Sequence, residues 1–398
     1  MATTENRNAV LLPTGYDPAT YACLRSLSDR GLRVIVASHH DDVPEFASRF
    51  CDEALTIPSP HDDLLAYKDA LVGIAARPDV RTVVPIREED SYVLTKYREE
   101  FEAYVSLLVP DLETLRNVHD RKRLFEIAAQ AGLAVPETRL LSEVDDWSEE
   151  MIVKSRYNLL TDEYLDAYAP DEAEEVKTVT HLRPGERPDS EALVAQMHHE
   201  PLVQEYVESS DEYLFGAVCD RGELLSTFQH RQIRGNSYTG GGGVYRESVD
   251  VPALERAGRT LLEALDWHGV ACIEYMRDAE TGEFVLTEIN PRMYQSLPLT
   301  VRAGADFPLH YWLAATDRPD RVESGYEVGA GSHLLYGELG YLLSVLRDDS
   351  PHVERPSLAA TAWEILSSCY DHPNFDYLRL DDPGPFVQGV RHMLSARG

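Results

Sequence analysis

Two glutamates, an asparagine and an arginine, namely Glu274, Glu288, Asn290 and Arg292, are spaced so that they can share one face of a β-hairpin. Two runs of alternating apolar residues flank a polar turn that contains Gly282, a pattern typical of a hairpin. Opposed carboxylates repel one another unless a cation lies between them, and Glu and Asn oxygens suit Mg²⁺ that carries nucleotide phosphates. The spacing therefore indicates a magnesium and phosphate site, with Arg292 placed to bind a phosphate or a carboxylate.

The register of the hairpin decides whether the two glutamates meet. A turn centred near Thr281 sets Glu274 opposite Glu288, with Met276 opposite Leu286 on the way. Because side chains alternate between the two faces of a strand, a slip of one residue would separate the glutamates. The alternative is a solvent-facing polar strand with an incidental salt bridge.

The hairpin needs a larger fold to hold it, and the N-terminal part predicts a small open α/β domain. Strand patterns at 9–13, 33–38 and 81–86 alternate with helix patterns at 18–30, 62–76 and 88–104, as in βαβ units. The loop after the first strand carries one glycine, Gly15, where dinucleotide-binding folds carry three. Gly15, Asp17 and the turn at 87–90 are either substrate contacts or solvated loop residues, and both interpretations stand.

The rest of the chain predicts a mixture of strands and helices. A helix at 119–131 ends at Gly132 and Pro136, a typical helix stop. Strands are predicted at 151–154, 202–207, 213–219, 224–229, 271–276 and 283–289, a helix at 251–265, and an acidic, loop-rich segment at 161–190. The tail is expected to form helices at 336–347 and 385–396, and no chemistry is assigned to it.

The hairpin sequence resembles a known metal-binding signature. Glu288-Ile-Asn-Pro-Arg292, preceded by 267–271 and 273–275 and followed by 303–308, is similar in order and spacing to the signature of the ATP-grasp superfamily. The closest resemblance is to the predicted carboxylate–amine ligases related to carbamoyl-phosphate synthase and biotin carboxylase, and it covers roughly residues 8–315.

This resemblance implies an α/β (α+β) protein with an ATP-grasp fold and an N-terminal Rossmann-like pre-ATP-grasp domain. The implied boundaries are residues 1–115 for the Rossmann-like domain and 116–330 for the ATP-grasp domain, with a lid subdomain at about 135–207. Residues 331–398 would form a C-terminal helical extension.

The resemblance also assigns the metal and phosphate contacts. Glu274, Glu288 and Asn290 correspond to the ligands of Mg²⁺ (or Mn²⁺). Lys122, at the start of the helix after Asp120, and Lys154 correspond to the two lysines that hold the phosphates of ATP.

Further nucleotide contacts follow from the segment at 203–207. It resembles the linker that borders the adenine, which makes Glu205 and Val207 nucleotide contacts. An acidic residue shortly afterwards, Glu212 or Asp211, would bind the ribose hydroxyls.

Two arginines are implied in catalysis, Arg292 and Arg231, the latter on a basic strand that faces the acyl substrate or the γ-phosphate. The glycine run at 240–243 either approaches an anion through its backbone or forms a hairpin tip. The sequence departs from the family after Lys154, where a glycine-rich loop is usual and this chain has none. Ser155 and Arg156 are expected to take its place.

By resemblance, the activity is an ATP- and Mg²⁺-dependent ligation of a small-molecule carboxylate to an amine through an acyl phosphate, releasing ADP and phosphate. Two alternatives stay open: a non-catalytic ATP-binding sensor, which the missing glycine loop suggests, and an ATP-grasp kinase of a small molecule. A homodimer is also suggested by the resemblance.

The composition narrows the possible partners. The 398 residues include 69 Asp and Glu against 37 Lys and Arg, a net charge of −32, which disfavours nucleic acid and anionic membranes as partners. Only five of the basic residues are lysines, an acidic, arginine-rich composition that resembles that of salt-adapted (halophilic) proteins. Five scattered cysteines and no secretory leader at the N-terminus predict a cytoplasmic protein with reduced thiols.

Overall fold

The structure is a computed structural model that describes residues 8–349 and 353–395. The first seven residues, where no leader is predicted, and Ala396, the last residue of a predicted helix, lie outside the described residues. The described chain contains three sheets, of four, four and six strands, each associated with helices.

The N-terminal part is a parallel sheet with the strand order β3-β2-β1-β4. Its elements are β1 (Ala9–Thr14), α1 (Pro18–Asp29), β2 (Arg33–Ser38), β3 (Glu53–Thr56), α2 (Leu64–Ala75), β4 (Val80–Val83), α3 (Glu88–Lys96) and α4 (Arg98–Glu102). Strand β1 is buried along its whole length, as expected for a parallel sheet covered on both faces. The Rossmann-like sheet is confirmed, although the helix predicted at 88–104 is two helices that meet at Tyr97.

A small antiparallel sheet follows, with the strand order β5-β8-β6-β7. It is preceded by α5 (Leu112–His119) and α6 (Arg121–Gln130), and consists of β5 (Thr138–Leu140), β6 (Met151–Lys154), β7 (Val179–Leu182), α7 (Ser190–Met197) and β8 (Leu202–Glu205). It has an apolar core of its own, to which Val153, Leu193 and Val203 belong. The helix predicted at 119–131 is α6, which begins at Arg121. Asp120 caps it, because its carboxylate accepts a hydrogen bond from the Lys122 backbone N–H.

The largest sheet has the strand order β13-β12-β9-β10-β11-β14. Its elements are β9 (Ser209–Asp220), β10 (Glu223–Ser237), β11 (Gly240–Ser248), α8 (Pro252–Ala264), β12 (Gly269–Asp278), β13 (Phe284–Asn290), α9 (Leu297–Arg302), α10 (Phe307–Ala315) and β14 (Gly331–His333). The glycine run at 240–243 belongs to β11 and is therefore part of a strand. This sheet carries the hairpin of the predicted site.

The C-terminal part of the chain adds the last strand, β14, to the edge of the largest sheet. Strand β14 pairs with β11 and is followed by α11 (Leu335–Arg347), α12 (Leu358–Asp371) and α13 (Gly384–Ser395). Two of these helices agree with the predictions for the tail, whereas β14 and α12 were not predicted. No helix within 8–349 and 353–395 is long and apolar enough to span a membrane.

Candidate active site

The two glutamates of the hairpin face each other as predicted. In the antiparallel pair β12 and β13, Glu274 lies directly opposite Glu288. The predicted register is wrong nearer the turn, where Met276 lies opposite Val285 and not Leu286. A bulge directly after Glu274 absorbs the difference of one residue, which is the effect of one extra residue in one strand of a pair.

The hairpin forms one wall of a cleft of about 410 Å³, and strands β6 and β8 of the small sheet lie on the other side. Seven of the ten predicted site residues line this cleft: Lys154, Glu205, Val207, Glu274, Glu288, Asn290 and Arg292. Residues that are far apart in sequence therefore meet in one place. Arg121 and Glu88 line the same cleft and were not predicted.

The opposed carboxylates have different pKa values. Glu274 is surrounded by protein on most sides, although its side chain keeps contact with solvent in the cleft. This desolvation and the charge of Glu288 raise the pKa of Glu274. Burial would also raise the pKa of Glu288, but the Arg121 guanidinium and the Asn290 amide outweigh it and hold this pKa below its usual value. Asn290 Nδ2 donates to Glu288 Oε1 at 3.0 Å. The pair therefore tends to share one proton when no cation is bound.

Two cations face this pair from the other elements. Arg121 Nη2 lies 3.2 Å from Glu288 Oε2, and Nη1 of the same side chain donates to the carbonyl oxygens of Ser155 and Tyr157. Lys154 Nζ lies 5.3 Å from the centre of the Phe125 ring. Burial and the charge of Arg121 lower the pKa of Lys154 to about 7. A bound anion would favour the charged lysine.

Lys122 does not reach the cleft. It is not among the residues that line the cleft, and its Nζ pairs with Glu143 at 3.1 Å. The preceding residue, Arg121, lines the cleft and reaches Glu288. Arg156 is also engaged elsewhere, since its guanidinium binds both carboxylate oxygens of Asp120 at 2.9 and 2.6 Å. In this structure it is therefore not free to replace a glycine-rich loop.

Arg231 is not among the residues that line the cleft. The two residues beside it in β10, His230 and Gln232, face a neighbouring cavity, so alternation along the strand directs Arg231 to the opposite face. There it lies 3.7 Å from Asp211. Glu212 lines the neighbouring cavity and accepts a hydrogen bond from Gln232. It is not among the residues that line the cleft with Lys154 and Glu205.

Arg292 connects the hairpin to the N-terminal sheet. Its Nε donates to Glu88 Oε1 at 2.6 Å, and Glu88 is 4% exposed. Burial would lower the pKa of Arg292, but Glu88 and other negative groups hold it above its ordinary value. The turn at 87–90 is thus not solvated, because Glu88, Glu89 and Asp90 are buried at the start of α3.

Comparison with known proteins identifies the fold. No known family profile matches the sequence. The carbamoyl phosphate synthase large chain of Thermotoga maritima is 23% identical over 309 residues, which cover 72% of this chain and 26% of that protein. Acetyl-CoA carboxylase 2 of Oryza sativa subsp. japonica is 28% identical over 127 residues, 32% of this chain and 5% of that protein. The chain spans about a quarter of the length of the synthases that it matches.

Solved structures match over most of the chain. N5-carboxyaminoimidazole ribonucleotide synthetase in its ADP complex has a TM-score of 0.61 and 15% identity, and the match covers 92% of this chain and 97% of that one. The biotin carboxylase domain of 2-oxoglutarate carboxylase from Hydrogenobacter thermophilus has a TM-score of 0.60 and 14% identity, over 81% and 73% of the chains. The protein has the ATP-grasp fold. A Bacillus licheniformis L-amino acid ligase matches with a TM-score of 0.58 and 14% identity, over 80% and 77%.

The cleft of this ATP-grasp fold has the donor atoms that a magnesium ion requires. Within the described part of the chain, no three His, Cys, Asp or Glu side chains converge as a metal site. A cation between Glu274 and Glu288 would add the Asn290 amide oxygen and complete its coordination with phosphate oxygens and water. The residues therefore fit a metal ion that arrives together with nucleotide phosphates.

We expect Arg121 and Lys122, adjacent in this ATP-grasp fold, to differ sharply in nucleotide binding. R121M should weaken MgADP binding about tenfold or more, because it removes a charged donor from the cleft. K122M should stay within about twofold of wild type, because it removes only an exposed ion pair. Isothermal titration calorimetry of both variants measures the difference, and a larger effect for K122M would contradict the geometry.

Replacing Glu274 with glutamine is expected to change the pH dependence of stability. The raised pKa of Glu274 means that the folded form keeps a proton that the unfolded chain has lost, so its contribution to the unfolding free energy falls as the pH rises from about 5 to about 8. The stability of E274Q relative to wild type should therefore increase over this interval. Urea denaturation without divalent metal tests this, with E280Q in the exposed turn as control. A stability difference between E274Q and wild type that does not change with pH would contradict the raised pKa of Glu274.

Proposed function

We propose that this protein is a Mg²⁺- and ATP-dependent ligase that joins a carboxylate to an amine. The observation that carries the proposal is the convergence in one cleft of two opposed glutamates, Glu274 and Glu288, with the cations Arg121 and Lys154. Structures of the same fold support it, since the Hydrogenobacter domain is described with MgADP and bicarbonate and the synthetase with ADP.

In the proposed reaction, a carboxylate oxygen of the substrate attacks the γ-phosphorus of ATP, and the bond from that phosphorus to the β,γ-bridging oxygen breaks. ADP leaves and an acyl phosphate forms. The amine nitrogen then attacks the acyl carbon, the carbon–oxygen bond to phosphate breaks, and the nitrogen loses a proton to water. Phosphate leaves the acyl carbon far more readily than the oxide or hydroxide that an unactivated carboxylate would have to lose. The carboxylate must therefore be activated first.

We assign different roles in this reaction to different side chains of the cleft. Arg121 and Lys154 would bind the phosphates, and Glu205 and Val207 would border the base. Glu274, Glu288 and Asn290 would hold Mg²⁺, which neutralises charge on the β- and γ-oxygens when it is bound. No such role is proposed for Lys122 or Arg231, given where the structure places them.

Arg292 would act where the cleft meets the neighbouring cavity, since it lines both. Its guanidinium keeps N–H groups beyond those bound to Glu88 and the Met293 carbonyl. A reacting carboxylate held there would face the γ-phosphate. The arrangement also stabilises charge as the phosphoryl group moves.

The test is ADP formation with pooled carboxylates and amines, in low and in high KCl because of the acidic, arginine-rich composition. Stimulation by one acid and one amine together, lost on adding EDTA, is the expected result. A stable phosphorylated product that forms without the amine would indicate a kinase, and tight ATP binding without turnover would indicate a sensor. Either outcome would overturn the ligase.

The same proposal extends to the state of the protein in solution. The Hydrogenobacter domain is described as a dimer, and we propose a homodimer for this chain as well. Light scattering in low and in high salt measures this, and a monomer under both conditions would contradict it.

A further inference from the structure

A second cavity adjoins the cleft and lies over the largest sheet. Its volume is about 440 Å³, and it shares Glu274, Met276, Thr287 and Arg292 with the cleft. Arg246 of β11 lines the cavity only. Any group bound by Arg246 therefore lies in the cavity and outside the nucleotide cleft.

The floor of this cavity is one row of side chains across four neighbouring strands. Met276 pairs with Glu212, Glu212 with Gln232, and Gln232 with Arg246. Strands lie about 4.8 Å apart, so the backbone of Arg246 is about 14 Å from β12, which carries the metal-site glutamate. The cavity thus has a metal end and an Arg246 end.

Arg246 is a buried cation whose hydrogen bonds are incomplete. Its residue is 1% exposed, and its Nη1 donates to Asp376 Oδ2 at 2.7 Å. Its Nε and Nη2 are also buried and have no hydrogen-bond partner in the part of the chain that the structure describes. Leaving buried donors unpaired is costly, so a bound acceptor would stabilise this site.

The two unpaired nitrogens point to a carboxylate. The Nε–H and one Nη2–H of a guanidinium lie side by side and match the two oxygens of one carboxylate. Burial and the charge of Arg246 lower the pKa of the adjacent His230 to about 3, so that the imidazole is neutral and adds no second positive charge. Asp376 already binds Arg246, and Glu212 lines the same cavity. These two carboxylates disfavour a doubly charged anion and favour a single carboxylate.

The carboxylate at Arg246 is not the one that reacts with ATP. The reacting carboxylate must reach the γ-phosphate, and Arg292 is the arginine at that junction. Between the two ends, Glu212 lines the cavity and offers carboxylate oxygens that can accept hydrogen bonds from an ammonium group. A molecule with a carboxylate at one end and an amine towards the junction matches this order of charges.

We propose that the amine substrate is an amino acid whose own carboxylate is bound by the Nε and Nη2 of Arg246. This rests on the proposed ligase function. The ammonium group first loses a proton to water, and the neutral amino nitrogen then attacks the acyl carbon. The carbon–oxygen bond to phosphate breaks and the nitrogen loses a second proton to water. The product is an N-acyl amino acid that keeps the carboxylate bound to Arg246. No further reactant is required.

Asp376 serves as a positioning residue for Arg246. It lies between α12 and α13, is buried, and accepts hydrogen bonds from Arg246 and from the Ser332 hydroxyl of β14. Its backbone N–H donates to the carbonyl oxygen of His333. The C-terminal part of the chain, to which the sequence assigned no chemistry, thereby fixes the orientation of the carboxylate-binding arginine.

The test compares amino acids with the amines that remain after their carboxylates are removed, for example leucine with isoamylamine and phenylalanine with phenethylamine. With saturating ATP and pooled acids, wild type should use the amino acid of a pair at least about tenfold more efficiently. R246M should raise the KM for the amino acid about 100-fold and change the KM for ATP and for the plain amine far less, so that the preference for the amino acid is lost. R246K should recover part of the loss, and D376N should raise the same KM by a smaller factor.

Arg234 provides the matched control. It lies on the same hairpin, is 9% exposed and binds Glu338 of α11 with Nη1 at 2.8 Å to each oxygen, but it does not line the cavity. R234M should lose stability as R246M does and keep the KM for the amino acid. Equal KM effects of R234M and R246M would overturn the proposal, as would an R246M effect on the acid substrate alone.

Direct binding separates this proposal from the ligase itself. If wild type forms no ADP with any pool, the ligase fails, and calorimetry with MgADP present still compares each amino acid with its plain amine. Tighter binding of the amino acid in wild type, lost in R246M while MgADP affinity is unchanged, would support the Arg246 site. Equal binding of both members of every pair would overturn it.

Discussion

Replacing Glu288 with glutamine is expected to reduce kcat by at least about 100-fold while the protein remains folded. Glu288 is the carboxylate that stays ionised, because Arg121 and Asn290 hold its pKa low. A glutamine keeps the shape and can still accept a hydrogen bond from Arg121, but it removes the charge that a metal ion needs. Steady-state ADP release measures kcat, and calorimetry with ADP with and without Mg²⁺ measures the metal contribution.

Two controls accompany E288Q: the melting temperature of the variant itself and the activity of a second variant, E283Q, on the same hairpin. Because the variant removes one of two repelling carboxylates, its melting temperature without metal should equal or exceed that of wild type. E283Q changes an exposed glutamate next to the same strand and should keep full activity. Retained turnover in E288Q, or a similar loss in E283Q, would remove the metal role from Glu288.

The hairpin could be predicted because local pattern determines it. Alternating apolar residues and a polar turn placed Glu274 and Glu288 opposite each other, and the bulge after Glu274 changed only the pairing nearer the turn. The N-terminal parallel sheet was predictable for the same reason, since its strands are short apolar runs between helices. Local periodicity carries this information without any knowledge of tertiary contacts.

Which of two neighbouring side chains enters a cleft could not be predicted in the same way. Arg121 and Lys122 are adjacent basic residues in the first turn of a helix, and they point about 100° apart around its axis. The packing of the helix against the small sheet decides which one faces Glu288. In β10, likewise, alternation along the strand does not indicate which face covers the cavity. His230 and Gln232 line it, and Arg231, the predicted residue between them, does not.

Contacts across long sequence distances were also beyond local reasoning. The pair of Glu88 and Arg292 joins residues 204 positions apart, and the pair of Arg246 and Asp376 joins residues 130 positions apart. A buried carboxylate such as Glu88 resembles a solvated one in the sequence, because only its distant partner makes burial possible. These two pairs link the N-terminal and C-terminal parts to the central sheet.

Replacing Arg292 with methionine is expected to lower activity by about 100-fold or more and stability by about 3 kcal/mol, for two separate reasons. The loss of activity follows from the missing guanidinium between the cleft and the cavity. The loss of stability follows from Glu88, which would remain buried with its charge after its ion pair with Arg292 is removed; His119 Nε2 lies 3.4 Å from its other carboxylate oxygen. ADP release and urea denaturation measure the two effects.

The double variant R292M/E88Q separates these effects. Removing the buried charge of Glu88 should restore part of the stability lost in R292M, because the penalty arises from an unpaired carboxylate and not from the missing arginine itself. Activity should stay as low as in R292M, since nothing in the double variant replaces the guanidinium at the reacting carboxylate. If activity returned together with stability, Arg292 would act only as a link between the hairpin and the N-terminal sheet, and its place in the proposed reaction would be lost.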